Sequence, residues 1–279
     1  MSLKEIRGRI HSVGSIMQIT SAMKMVSASK LKKTRDVIYQ YDKYIINMIK
    51  IWSIVISLST YLHSLPFWSF EKRPILIIII GSNRGLCGSF NTSIFKQIIN
   101  NYCKYSSHFI TIGKKVKDLL SNRFHVYKDY SNLLENICYN NISKFCDRLI
   151  YDFLKGSFHS IHLIYNRFKA NTSIQELISE KILPIKTPFL SIKESNYLLD
   201  KSKNYIVYDF ITKNIKTHLC KAILASYVAE QGSRMKAMHQ STDNASKLKK
   251  SILLTYNKAR QTSITKEILE IMSGFSKDV

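Results

Sequence analysis

Residues 81 to 88 read Gly81-Ser82-Asn83-Arg84-Gly85-Leu86-Cys87-Gly88, directly after the apolar run Ile75-Leu76-Ile77-Ile78-Ile79-Ile80 and just before a helical pattern that opens at Phe90. A glycine turn between a strand and a helix is where phosphate binders aim backbone N–H groups and the positive end of a helix dipole. That chemistry needs more than glycine. A dinucleotide site calls for G-x-G-x-x-G, and a P-loop calls for a terminal Gly-Lys-Ser/Thr that supplies a lysine to the phosphates and a hydroxyl to Mg²⁺. Neither is present, so Gly81, Arg84, Gly85 and Gly88 are expected to shape a structural turn.

His159 and His162 lie three apart in a segment that reads as a strand, which sends their rings to opposite faces and argues against a shared metal site. Five cysteines, Cys87, Cys103, Cys138, Cys146 and Cys220, contain no C-x-x-C pair. Their odd number and wide spacing fit reduced thiols in a cytosolic compartment. No H-E-x-x-H, G-x-S-x-G or paired-carboxylate constellation occurs, so neither a catalytic residue nor a cofactor is expected.

The elements that carry these residues fall into three parts, 1–58, 59–208 and 209–279. In the first, Leu3, Ile6, Ile10, Val13 and Met17, then Leu31, Thr34, Ile38, Tyr41, Ile45, Met48, Trp52 and Val55 alternate at three and four residues. This is coiled-coil periodicity. The phase is expected to slip between Thr20 and Ser27, with Met23 and Val26 on the apolar face. No proline occurs before Pro66, so one helix of roughly 80 Å is expected. In the last part, a strand-like run Tyr205-Ile206-Val207-Tyr208 precedes a second helix with Thr212 as its candidate N-cap. Val228, Gln231, Met235, Met238, Thr242 and Ala245 keep the heptad, and Leu248, Ile252, Tyr256, Ala259 and Ser263 resume it one residue out of phase. At roughly 100 Å this helix outruns the first.

In the middle part, strand candidates at 75–80, 108–112, 124–127, 158–168 and 182–185 alternate with helices at 90–100, 114–121 and within 133–154. Such alternation implies a mainly parallel sheet. The fold class expected is α/β: a long antiparallel coiled coil of the N- and C-terminal helices plus a central Rossmann-like α/β domain.

Lys and Arg number 42 against 19 Asp and Glu, a net charge of +23. The excess is spread along the chain without a concentrated basic arm, so no dedicated nucleic-acid patch is indicated. A basic coiled-coil nucleic-acid-binding protein stays open as an alternative, and an α/β enzyme with helical dimerisation arms is a third. Residues 51 to 70 lack charged side chains, but their serines, Thr60, His63 and Pro66 make a poor transmembrane segment. The amino terminus carries neither an apolar signal core nor a transit-like segment, and a bacterial cytoplasmic home is expected.

Three separated stretches resemble one family. They are Ile19-Thr20-Ser21-Ala22-Met23-Lys24-Met25-Val26-Ser27-Ala28-Ser29-Lys30, the Arg84-Gly85-Leu86-Cys87-Gly88 core of the turn, and Asp243-Asn244-Ala245 through Gly274. Their order and spacing are similar to the gamma subunit of F-type ATP synthases, with Phe275 a departure where that family usually has alanine. The resemblance implies a central rotor shaft without a catalytic site, turned by ion flow through a membrane c-ring inside a ring of alpha and beta subunits. It also implies contact with the epsilon subunit and peripheral attachment to the cytoplasmic side of the inner membrane. Arg260, Gln261 and Thr265 match the family's contact with a loop of one beta subunit. Met23 and Lys24 match the region that faces the acidic lever segment of beta, and Lys30 is expected either to add attraction to that segment or to be a solvated charge. The regulatory dithiol of chloroplast relatives has no counterpart here.

Overall fold

The computed structural model describes residues 2–58, 73–102, 107–169, 174–184 and 204–275. Cys103 and most of the charge-poor stretch 51–70 lie outside the described residues, as does the side chain of Phe275. Among the described residues no helix is long and apolar enough to cross a membrane.

The chain opens with helix α1 (Leu3–Leu58). Strand β1 (Ile75–Ile80), helix α2 (Phe90–Tyr102), β2 (Ser107–Ile112), α3 (Lys114–Ser121) and β3 (Val126–Asp129) follow. A short 3-10 turn, Ser131–Leu134, then leads to α4 (Tyr139–Leu154), β4 (Ser160–Lys169), β5 (Ile174–Leu183) and α5 (Asn204–Phe275). The sheet order is β3-β2-β1-β4-β5. β1, β2, β3 and β4 run parallel, and β5 closes the edge antiparallel to β4.

Unbroken hydrophobicity in β1 follows from its central place, because both of its faces are covered. Leu76, Ile78 and Ile80 pack with Ile142, Phe145 and Phe153 of α4 and with Ile211, Leu219 and Ile223 of α5. Ile77 and Ile79 face Phe90, Ile94 and Ile98 of α2 and Val116 and Leu120 of α3. Each such side chain, wholly removed from water, contributes about 1.5 to 3 kcal/mol.

Two expectations about elements are corrected. The run at 205–208 is not a strand but the first turns of α5; β-branched and aromatic residues are only weak strand signals when no partner strand is available. Thr212 therefore sits inside the helix, its hydroxyl donating to Tyr208 O at 2.8 Å instead of capping. The strand expected only at 182–185 spans Ile174–Leu183, where Gln175, Glu176 and Glu180 hid it: an edge strand tolerates charge that a central strand does not.

By contacts the chain forms two compact units, Ala28–Ser233 and Met1–Ser27 with Arg234–Val279. In the smaller unit α1 and α5 pack antiparallel. Thr242 Oγ1 donates to Thr20 Oγ1 at 2.8 Å, Lys24 Nζ lies 3.3 Å from His239 Nδ1, and Arg7 Nη2 lies 3.3 Å from Tyr256 OH. Each pair of residue numbers totals 262 or 263, the signature of one fixed antiparallel register. Within the larger unit the same total relates Lys221 to Asp42, an ion pair at 2.8 Å, and Gly232 to Leu31, its close neighbour.

The register also corrects both expected slips. Buried and half-buried positions on α1 run Leu3, Ile6, Ile10, Val13, Met17, Thr20, Lys24, Ser27 without a break in spacing, while Val26 is 55% exposed. On α5 they run Met235, Met238, Thr242, Ala245, Lys249, Ile252, Tyr256, Ala259, Ser263, while Leu248 is 51% exposed. Apolar identity pointed to Val26 and Leu248, but a helix pair keeps its phase and lets lysine lay its methylenes along the seam with the ammonium at the rim. A Cβ on Gly14 would lie in ordinary contact with Lys249 Nζ, at 3.8 Å.

Candidate partner-binding surfaces

The glycine turn lies at the carboxyl end of β1, beside the point where strand order reverses between β1 and β4. Ligands of open α/β sheets bind in that crevice. Here the polar groups of the turn are engaged by protein. Gly81 N donates to Ile112 O at 2.9 Å and Lys115 N to Ser82 O at 3.0 Å. Ser82 N donates to Asn91 Oδ1 at 3.2 Å, and Asn91 Nδ2 to Ser82 Oγ at 2.8 Å. Asn83 bridges two segments, accepting from Lys114 N at 3.1 Å and donating to Ser131 O at 3.0 Å. From α5, Ser226 and Ser233 donate to Ile80 O and Cys87 O. The amides that open α3 are thus already bonded to the turn.

Sterics explain the glycines unevenly. A Cβ on Gly81 would collide with Val116 Cγ2, and Gly88 has φ of 61°, whereas nothing lies within 4 Å of a Cβ on Gly85. Leu86 adopts φ of 62° although it is not glycine, and the residue is 64% exposed. Arg84 is exposed at the same loop.

Next to the turn, Asp129 accepts from Thr111 Oγ1, Ser131 N and Ser131 Oγ and pairs with Lys117 at 3.2 Å. Burial alone would raise its pKa, but the Ser131 hydroxyl and Lys117 hold it below the usual carboxylate value. Burial pushes His162 down, with Lys181 and His159 adding to the shift, and its Nδ1 lies 3.4 Å from Tyr102 OH. Burial also raises the Cys146 thiol to about 12. Among the described residues no group of three His, Cys, Asp or Glu side chains is arranged to hold a metal.

In the smaller unit, Met23 and Lys24 are half-buried at the seam. Ile16, Ile19, Met25 and Val26 are each more than half exposed on the outer side of α1. Lys30, in the larger unit, is exposed. Following the fixed register, α5 passes the start of α1 at about Gln261. Beyond it Ile264, Ile268, Leu269, Ile271 and Met272 are all exposed. Gln261 and Thr265 line one shallow groove with Lys258, Thr262, Lys266 and Leu269. Arg260 is exposed and projects about 100° round the helix from Gln261. Thr265 Oγ1 donates to Gln261 O at 2.9 Å, one turn back on the same helix.

The family described as ATP synthase matches residues 2–276. The ATP synthase gamma chain of Flavobacterium johnsoniae is 42% identical over 98% of this chain and 97% of the relative, and that of Flavobacterium psychrophilum is 42% identical with the same coverage. The chain belongs to the ATP synthase gamma chain family. Solved structures share the fold. One chain of the Euglena gracilis mitochondrial ATP synthase, in the assembly titled OSCP/F1/c-ring, rotational state 3, superposes with a TM-score of 0.69 at 18% identity over 98% of this chain and 93% of its own. Another, titled rotor, rotational state 1, gives 0.66 at 16% identity over 94% and 98%. Membership sets aside the nucleic-acid reading of the positive charge.

Several side-chain pairings of this gamma chain that shape the surfaces had no marked signal in the sequence. Asn91 ties the turn to α2, and no motif distinguishes it from other asparagines. Thr20 and Thr242 bond across the seam from opposite ends of the chain, which no local pattern reveals. His239 was visible only as a histidine four residues before Asp243.

Proposed function

We propose that this chain is the central rotor shaft of an F-type ATP synthase, coupling ion flow through the membrane c-ring to ATP synthesis or hydrolysis in the alpha and beta subunits. The observation that carries the reading is the near full-length 42% identity to gamma chains, joined to an antiparallel helix pair in one register. A shaft has to resist torsion, and a seam that keeps its phase through polar Thr20, Lys24 and Ser27 resists it better than one that slips. The exposed band of Ile16, Ile19, Met25 and Val26 supports an encircling partner, since such a band is unfavourable in water until covered.

In this reading 1–58 and 209–279 make the shaft and 59–208 makes the base, which meets epsilon and the c-ring on the cytoplasmic side of the inner membrane. Arg260, Gln261 and Thr265 grip a loop of one beta subunit. Met23, Lys24 and Lys30 face the acidic lever segment of beta, and Gly81, Arg84, Gly85 and Gly88 form a turn with no ligand of their own. The chain adds no catalytic group and needs no cofactor. Purified alpha and beta subunits from the same source, mixed with this chain, are expected to form one complex that hydrolyses ATP faster than alpha and beta alone. No complex and no stimulation would overturn the proposal.

A further inference from the structure

An open pocket of about 330 Å³ lies wholly within the larger unit, where α1, α5 and the segment after the 3-10 turn meet. Buried Leu134 and Leu224 and half-buried Ile137 and Tyr227 give it apolar walls, and Val37 stands at its mouth, 47% exposed. Small-molecule sites occupy about 300 to 1,000 Å³ and combine such walls with a few polar groups. The segment wall is tied down: Glu135 N donates to Asn132 O at 3.1 Å, Asn83 Nδ2 to Ser131 O at 3.0 Å, and the Tyr130 ring packs on Phe145 of α4 with centroids 4.5 Å apart. Of the polar groups at the pocket, the Thr34 hydroxyl donates to Lys30 O at 2.9 Å, and Glu135 pairs with Lys114 at 3.0 Å. Lys33 has no ion-pair partner among the described residues. Lys114 and Glu135 offset each other, which leaves one positive charge at the rim.

We propose that this pocket binds a small amphipathic anion, an aromatic or short-chain carboxylate or sulfonate, whose apolar body covers Leu134, Ile137, Leu224 and Val37 while its acid group pairs with Lys33. The lining selects this class. A cation is repelled at the rim, a neutral apolar molecule leaves Lys33 unanswered, and a polyanion finds one free ammonium where it needs several. The bound molecule touches three separate stretches of chain and ties α1 to α5 and to residues 134–137. The site is distinct from the beta contacts proposed for Arg260 and Lys24 and does not depend on them.

The test is lysine acetylation of the full chain by acetic anhydride, read residue by residue by mass spectrometry, with and without anilinonaphthalene sulfonate as the amphipathic anion. At saturating sulfonate the acetylation of Lys33 is expected to slow on the order of tenfold, as mass action on an occupied site requires. Lys32, exposed on the same helix but outside the pocket, is expected to keep its rate. Phenylnaphthylamine, the same apolar body without the acid, is expected to leave Lys33 unprotected. Val37→Glu sets a negative charge at the mouth, one turn from Lys33, where it competes for the ammonium; Val37 is exposed, so helicity by circular dichroism is expected to hold while the protection disappears. A Lys33 rate that the sulfonate leaves unchanged or slows no more than that of Lys32, or a protection that survives in Val37→Glu, would overturn the inference. Protection that arises only when alpha and beta subunits are added would also overturn it and assign the pocket to a protein partner.

Discussion

Arg260 stands on bare helix, exposed and near the end of the paired region, so its worth depends on what it meets in the complex. If it donates to a beta loop as proposed, Arg260→Ala removes a hydrogen bond to a charged group, about 1.5 to 3 kcal/mol. ATP synthesis in membrane vesicles carrying that variant is expected to fall while the isolated chain unfolds at an unchanged temperature; unaltered synthesis would refute the contact. Two other residues set the acid side of stability. Asp129 has a folded pKa below its unfolded one, so its contribution is present above the unfolded value of about 3.9 and is lost as pH falls through the lower folded value. His162 is also depressed, and the unfolded chain takes up its proton first, so stability declines as pH drops below about 6.5. The urea midpoint is expected to fall from pH 7 to pH 5, and His162→Gln is expected to flatten that limb. An equally steep limb in the variant would show that other groups carry it.

At the scale of elements, Gly81 joins β1 to its turn where a methyl group has no room. Gly81→Ala forces Val116 or the backbone aside and is expected to cost about 1 to 3 kcal/mol of unfolding free energy, read from urea denaturation. Gly85→Ala, with open space around it, is expected to cost less than half as much, and equal losses would contradict the steric account. The same element scale divides what could be read in the sequence from what could not. β1 was legible because a strand covered on both faces must be apolar throughout, and α3 was legible because Gly113 and Asn122 bracket a short amphipathic run. β5 was obscured because an edge strand carries charge. The seam was legible as a periodicity but misread where Lys24 and Lys249 take inward positions, since lysine buries its stem without losing its charge to the interior. The glycine turn was recognisable, but the hold that Asn91, Ser226 and Ser233 keep on it depends on contacts between residues up to 146 positions apart.

At the scale of the whole molecule, the positive charge of +23 bears on association, because a basic rotor surface attracts acidic partner segments and does so more weakly as salt rises. The family resemblance supplies what periodicity cannot: a helix pair alone does not reveal what encircles it. The rotor assignment makes one mechanical demand, that ATP hydrolysis in the ring turn this chain relative to it. The measurement is therefore rotation of a bead coupled to the exposed Cys138, in a Cys103→Ser background, with the alpha and beta ring fixed to a surface. Sustained rotation in one direction, dependent on ATP, is the expected result; an intact, ATP-hydrolysing complex whose bead only fluctuates about a fixed angle would contradict it.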